Sequence, residues 1–409
     1  MADDIKNLLF DKLNEKQLDV ILQAAAFAEK KEVNIYLIGG IVRDLLLSNP
    51  IFDIDIVTEC NAAEFAKELS RHIKCEILNI QENLKTAKVK FENGEEIDFA
   101  STREEKYIES GLLPVAFNFG CPLKNDVKRR DFTINTLAIK LTGNDKYTLV
   151  DYYNGCDDIS NKQIKILHPK SFEDDPSRII RALKFAIRFN FCIEKDTCFR
   201  MQKYLKNIST TMPLERIKSE LKQYFSLKQK NIYEKLIQSN AYKLISENAI
   251  KTCNISKLEE IKKYNLFNQD DIWFIYFAAI CINSNFNDER LNLNNTEKRI
   301  LSETKQLLES KISEKNTKKE IYDSFIKCNN LSIACFYTLT DDTSAVDLFL
   351  KELKDIKIQI TGSDLINLGL KPSPMFNKIF NEILQEKLNG KIKTKEEELD
   401  YAKSFIKAD

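Results

Sequence analysis

Apolar residues first recur at helical spacing. Between residues 3 and 30, Ile5, Leu8, Leu9, Leu13, Leu18, Ile21 and Leu22 fall on one face, which predicts amphipathic helix. From 33 to 100 the pattern shortens to apolar or alternating runs, which predict strands at 35–38, 53–57, 75–78, 86–91 and 96–100. A helical stretch, 61–73, separates two of them, and Gly94 marks a hairpin-like turn between the last two. Residues 101–127 contain Gly111, Pro114 and Gly120 and no clean period, which predicts a long functional or mobile loop. The run 128–139, KRRDFTINTLAI, has the look of a helix start. After the polar connector 151–158 strand signals nearly vanish, and helices follow one another. An asparagine-heavy break at 282–297 interrupts them, and from Ile360 onward two or three short helices are separated at 371–374 and at Gly390. The fold class is α+β, a small sheet domain followed by an all-helical remainder. The expected divisions are 1–150, 151–226, 227–330 and 331–409.

Composition narrows this picture. A chain of 409 residues with 43% hydrophobic and 30% charged positions is too long for one core and reads as globular. No run is long and apolar enough to span a bilayer. The opening MADDIKNLLFDKLNEKQ carries acids and argues against a signal or transit peptide. The ten cysteines are scattered with no CxxC, and His72 and His168 are the sole histidines. That excludes an ordinary zinc site and predicts reduced thiols in the cytoplasm. Net charge is zero, but residues 161–240 hold 17 Lys and Arg against 8 Asp and Glu. Such an excess suits a phosphate-tracking surface or a merely solvated helical face.

The stretch YLIGGIVRDLLLSNPIFDIDIVTE, 36–59, concentrates the chemistry. Asp53 and Asp55 are two apart on a strand, so they share a side and repel unless a cation lies between them. Mg²⁺ is the natural occupant of two hard oxygen donors. Gly39 and Gly40 let backbone N–H groups approach a phosphate unobstructed. Asp98, between Ile97 and Phe99, is either a third carboxylate of a two-metal site or an outward strand aspartate. Arg129 and Arg130 suit triphosphate charge; Asp131 beside them suits a ribose hydroxyl or a helix N-cap.

Further on, Arg178, Arg181, Lys184 and Arg188 form one basic stripe on a helix opened by Pro176, with Ile179, Leu183, Ala186 and Ile187 on another face. Asp175 and Arg178, three apart at its exposed N-terminal end, would present acceptors beside donors. That pattern matches cytosine and adenine and mismatches uracil and guanine; the alternative is an N-cap with an intrahelical ion pair. A further helix is expected to begin at Thr211, with Glu215 bracing Arg178 or Arg181 or simply occupying a first turn.

Taken in order, GGIVRDLLL with Asp53-x-Asp55, REEKY (103–107), RRDFTIN (129–135), DDPSRIIRALKFAIRF (174–189) and ERIKSEL (215–221) resemble the class II tRNA nucleotidyltransferase and bacterial poly(A) polymerase family. Strong similarity covers about residues 33–225. The resemblance implies a polymerase-β-type nucleotidyltransferase head, a base-reading helical neck, and a helical body and tail that hold tRNA. It implies Mg²⁺ at Asp53 and Asp55, and a triphosphate and ribose at Gly39, Gly40, Arg43, Asp44, Arg129, Arg130, Asp131 and Asn135. Asp175, Arg178 and Arg181 would read the base, with Asp174 and Glu215 in support. The family usually has Glu where this chain has Asp174. Residues 103–119 correspond to a mobile loop that helps the switch from C to A addition, which tilts against an enzyme adding CC alone. The expected activity is template-independent addition of CCA, or part of it, to the tRNA 3′ end from CTP and ATP. The rivals are an A-adding or CC-adding enzyme working with a partner, a poly(A) polymerase, a catalytically silent tRNA-binding protein, and a transferase acting on a small molecule or protein.

Overall fold

The structure, a computed structural model, describes residues 2–109, 111–208, 213–250, 255–286 and 288–405. Two helices open the chain, α1 (Ala2–Lys12) and α2 (Glu15–Lys30). Asn14 divides them: its side chain accepts from the Gln17 N–H while Gln17 reaches back to the Asn14 N–H, a capping box that starts α2. The sheet follows, with β1 (Ile35–Ile38), β2 (Ile54–Thr58), β3 (Cys75–Gln81), β4 (Thr86–Phe91) and β5 (Glu96–Ser101). Helix α3 (Gly40–Leu46) links β1 to β2, and α4 (Ala62–His72) links β2 to β3.

The 101–127 stretch is not without order. It contains a short hairpin of β6 (Glu104–Lys106) and β7 (Val115–Phe117), although Ser110 lies outside the described residues. Its strands were hidden because Val115 and Phe117 are exposed rather than packed on a core, so no buried alternation marks them. The one-turn helix α5 (Leu123–Asp126) leads into a 3₁₀ turn, Val127–Arg129. The helix expected over 128–139 is replaced by a second 3₁₀ turn, Thr133–Asn135, and strand β8 (Ala138–Lys140). The Asp131 carboxylate accepts from the Phe132 backbone N–H and the Asn135 side-chain amide, local bonds that compete with a helical arrangement. With β9 (Leu149–Val150), the sheet has seven strands in the order β3-β4-β5-β2-β1-β8-β9.

One face of this sheet is apolar. Leu37, Ile54, Ile56, Val89, Ile97, Phe99 and Ile139 pack against Val20, Ile21 and Ala24 of α2 and Phe65 and Leu69 of α4. Each large side chain so buried contributes about 1.5–3 kcal/mol. The opposite face carries a smaller patch, including Tyr36, Ile38, Val57 and Val127, and is otherwise polar. β2 runs parallel to β5, which sets Asp55 directly opposite Asp98.

Two compact units divide the chain, Met1–Glu220 and Leu221–Asp409. The first takes in the sheet and the helices beyond it: α6 (Gly155–Ser160), α7 (Ser171–Asp174), α8 (Ser177–Phe189) and α9 (Lys195–Lys206). The helix expected from Thr211 is α10 (Glu215–Phe225); Thr211 and Met212 themselves lie outside the described residues. The second unit is helical among its described residues. Ile272–Cys281 is apolar nearly all round and accordingly buried. Near the C-terminus, helices Gly362–Asn367, Met375–Leu388 and Lys395–Lys403 enclose their own cluster around Leu365, Ile379 and Ile383. Among the described residues, no helix is long and apolar enough to cross a membrane.

Candidate active site

The β1–α3 junction sets the first element of the site. Gly39 adopts φ +73°, a left-handed value open to glycine, and a Cβ there would stand 3.0 Å from the Arg130 guanidinium. Arg43, one turn into α3, is buried. It donates from Nε and Nη2 to the Asp44 carboxylate and from Nη1 to Asn135 Oδ1 at 2.6 Å, and it lies 4.5 Å from the Phe189 ring centre. Arg43, Asp44 and Asn135 are thus one buried unit that fixes the Gly39–Gly40 turn from below.

Arg129 and Arg130 are held by a residue that the sequence reading passed over. Asp126 is fully buried. Its Oδ1 accepts from Arg129 Nε (2.9 Å) and the Arg103 N–H (3.1 Å), and its Oδ2 from Arg130 Nε and Nη2 (3.3 and 3.2 Å). Burial alone would raise this carboxyl, but Arg130 and Arg129 outweigh it and hold its pKa below the ordinary value. Glu105 of β6 adds a second clasp, accepting from Arg129 at 3.2 Å and from Arg103 at 2.8 Å. The signal was present in the sequence: Asp126 precedes the two arginines by three and four residues.

Asp175, just ahead of α8, and Arg178, in its first turn, are buried rather than exposed, a correction to the expected geometry. Asp175 Oδ1 accepts from the Ser177 N–H and hydroxyl, and Oδ2 accepts from Arg216 of α10 at 2.5 Å. Arg178 donates to Ser171, to the Tyr107 hydroxyl (3.3 Å) and to the Arg129 carbonyl (2.8 Å), and its Nε stands 4.0 Å from Asp175. Arg181 donates from Nε and Nη2 to the one oxygen Asp131 Oδ2 and also reaches Glu220 at 3.1 Å. Burial would raise the Asp131 carboxyl, but Arg181 and the Asn135 and Phe132 donors keep it below its ordinary value. Lys184 is buried and donates to Glu220 at 2.6 Å. Much of the basic stripe is therefore neutralised within the fold, leaving Arg188 exposed at 3.6 Å from Asp44. The acid that braces Arg181 is Glu220; Glu215, one turn earlier, is exposed. Asp174 stands 3.6 Å from the His168 ring, and burial raises its carboxyl.

These groups enclose a cavity of about 500 Å³. Its wall includes the glycine pair, Arg43, Asn135, Arg129 and Arg130, together with Asp131, Asp175, Arg178, Arg181 and Arg216. A second cavity of about 410 Å³ shares Arg129 and Arg130 and is floored by Asp55, Asp98 and Lys88. Asp53 lies just ahead of β2 and is exposed. Asp55 opens to solvent at the cleft, yet its carboxyl is raised by burial, with Arg130 opposing and the charges of Asp98 and Asp53 adding to the rise. Asp98 is 3.3 Å from Lys88.

Among the described residues no group of three His, Cys, Asp or Glu side chains converges as a ready-made metal centre. The mutual repulsion of Asp55, Asp98 and Asp53 nevertheless fits a hard divalent cation held by few protein oxygens and completed by water and phosphate. Nucleotidyltransferases of this kind use divalent metal ions.

Comparison with known proteins agrees with this geometry. Residues 35–165 match the poly A polymerase head domain family, so the sheet with its glycine turn and carboxylates places the chain in the nucleotidyltransferase class. An A-adding tRNA nucleotidyltransferase from Halalkalibacterium halodurans is 27% identical, covering 99% of this chain and 96% of that protein. Another, from Geobacter sulfurreducens, is 29% identical over 91% of this chain, but the chain spans only 45% of its length. Two solved structures of a CCA-adding enzyme, with CTP and with ATP, superpose with a TM-score of 0.77 each, at 27% and 26% identity. They cover 98% and 99% of this chain, and 98% and 97% of theirs. The likeness to the poly A polymerase head domain is thus carried by residues 35–165, and over most of its length the chain is similar to tRNA nucleotidyltransferases at under 30% identity.

Proposed function

We propose that this protein adds the terminal CCA, or part of it, to the 3′ end of tRNA from CTP and ATP without a nucleic-acid template, using Mg²⁺, in the cytoplasm. The observation that carries this reading is the common wall of Arg129 and Arg130 between a cavity bearing a glycine turn with an Asp/Arg pair and a second one floored by carboxylates. In the first, Gly39, Gly40 and the two arginines receive the triphosphate, with Asp131 at the ribose. Asp175 and Arg178 face the base, where matching an exocyclic amine beside a ring acceptor favours C and A by about 1–3 kcal/mol. Arg216 and Tyr107 hold the two readers in place.

The acceptor 3′-hydroxyl attacks the α-phosphorus in line. Its O–P bond forms as the bond to the bridging oxygen breaks, its proton passes to water at the carboxylate cleft, and pyrophosphate leaves against Arg129 and Arg130. Asp53 and Asp55 would hold Mg²⁺, which supplies Lewis-acid activation of the hydroxyl and neutralises phosphate charge. Residues 1–150 serve as head, 151–226 as base-reading neck, 227–330 as body and 331–409 as tRNA-holding tail.

A second reading, addition of A alone, is supported by the names of the Halalkalibacterium and Geobacter relatives. Three tRNA transcripts, ending at the discriminator base, at C and at CC, separate the two when incubated with Mg²⁺, CTP and ATP. Growth of the shortest to CCA and no further is the expected result. A single A on the CC-ending transcript alone would establish the second reading, and no incorporation on any transcript would overturn both.

A further inference from the structure

The second cavity has a floor with an unusual construction. Asn79 of β3 is opposite Lys88 of β4, Lys88 is opposite Asp98 of β5, and Asp98 is opposite Asp55 of β2. Paired residues on neighbouring strands present their side chains to the same face, so one polar row crosses four strands from the sheet edge to the carboxylate. Beside it, Gln81 is opposite Thr86, and all six residues line the cavity. The row exists because β3 is irregular. Its register shifts between Ile77 and Asn79, leaving Leu78 as an extra residue. Simple alternation would set Leu78 against Lys88; the bulge sets Asn79 there instead and returns Ile80 to the core side with Ile77.

We propose that this cavity seats the terminal nucleotide of the RNA acceptor, with Asn79 and Gln81 as its contacts and Lys88 beside its phosphate. The proposal rests on the nucleotidyl-transfer reading above. In-line displacement requires the attacking hydroxyl to approach from the side opposite the departing pyrophosphate. The pyrophosphate end lies against Arg129 and Arg130 from the first cavity, which leaves the second for the acceptor. About 410 Å³ is within the range of pockets that hold a small ligand, enough for one nucleotide. The side-chain chemistry also fits an end whose identity changes as it grows. A carboxamide offers both donor and acceptor, so Asn79 and Gln81 can meet different base edges or ribose hydroxyls. Lys88, 3.2 Å from Glu96 and 3.3 Å from Asp98, is a single flexible cation within reach of a phosphate.

The double variant Asn79→Ala, Gln81→Ala tests this, since both side chains are exposed on the edge strand and carry no core packing. With a CC-ending tRNA transcript as the varied substrate and saturating ATP, kcat/KM for RNA is expected to fall about tenfold. ATP affinity, titrated without RNA, stays within about twofold. An unchanged kcat/KM for RNA, or an equal loss of ATP affinity, would overturn the assignment. Wild-type protein assayed in parallel distinguishes the failure of the underlying reading: it would then incorporate nothing into any transcript.

Discussion

Asp126 shows how much one carboxylate can organise. It is buried between two guanidiniums and a backbone N–H, and removing its charge takes away the carboxylate that clasps Arg130 and leaves Arg129 with Glu105 alone. Asp126→Asn is expected to destabilise the protein by about 3–5 kcal/mol at neutral pH, read from urea midpoints. The effect is pH-dependent with a definite sign. Its folded pKa lies below the unfolded value of about 3.9, so the stabilisation is full above that value and is lost as pH falls through the lower folded one. The gap between wild type and variant should therefore close in acid. At the two carboxylates proposed to hold Mg²⁺, Asp53→Ala or Asp55→Ala should cut incorporation by about 10³-fold or more while tRNA binding, measured by filter retention, persists. The residues most legible in the sequence were those in short motifs, the glycine pair and the aspartates around Ile54. Asp126, Arg216 and Glu220 were not read as site residues. Asp126 has its partners three and four residues on, whereas those of the other two are set by folding: Arg216 meets Asp175 across 41 residues and Glu220 meets Arg181 across 39.

At the scale of elements, the sequence was most informative where burial alternates. Strands β1 and β4 lie where the pattern placed them, and α4 ends within a residue of expectation. The pattern failed at β8, whose three residues follow a polar run that imitates a helix start, and at the β6–β7 hairpin, whose apolar side chains have no core to declare them. The β1–α3 turn permits a sharper test. Gly39→Ala adds a Cβ at φ +73°, a strain of about 1–2 kcal/mol, and drives it to 3.0 Å from the Arg130 guanidinium. The KM for nucleotide is expected to rise about fivefold as Arg130 yields, with RNA affinity unchanged. A variant with wild-type nucleotide KM would show that the turn does not set Arg130.

For the whole molecule, charge is balanced at zero, and several of the cations on α8 are paired inside the fold. The proposed RNA binding would then draw on the basic groups that remain outside such pairs. Raising salt from 50 to 200 mM should weaken tRNA binding by about 10- to 100-fold, and a flat response in a fluorescence titration would contradict an RNA-binding role. The single arginine wall between two cavities has one more consequence, for traffic. Under the reading proposed above, fresh triphosphate and spent pyrophosphate share one doorway, and the RNA end has the other to itself. Under that reading the strand would stay lodged through more than one round while the small molecules exchange behind it, so one binding event would deliver more than one nucleotide without any clamp encircling the RNA.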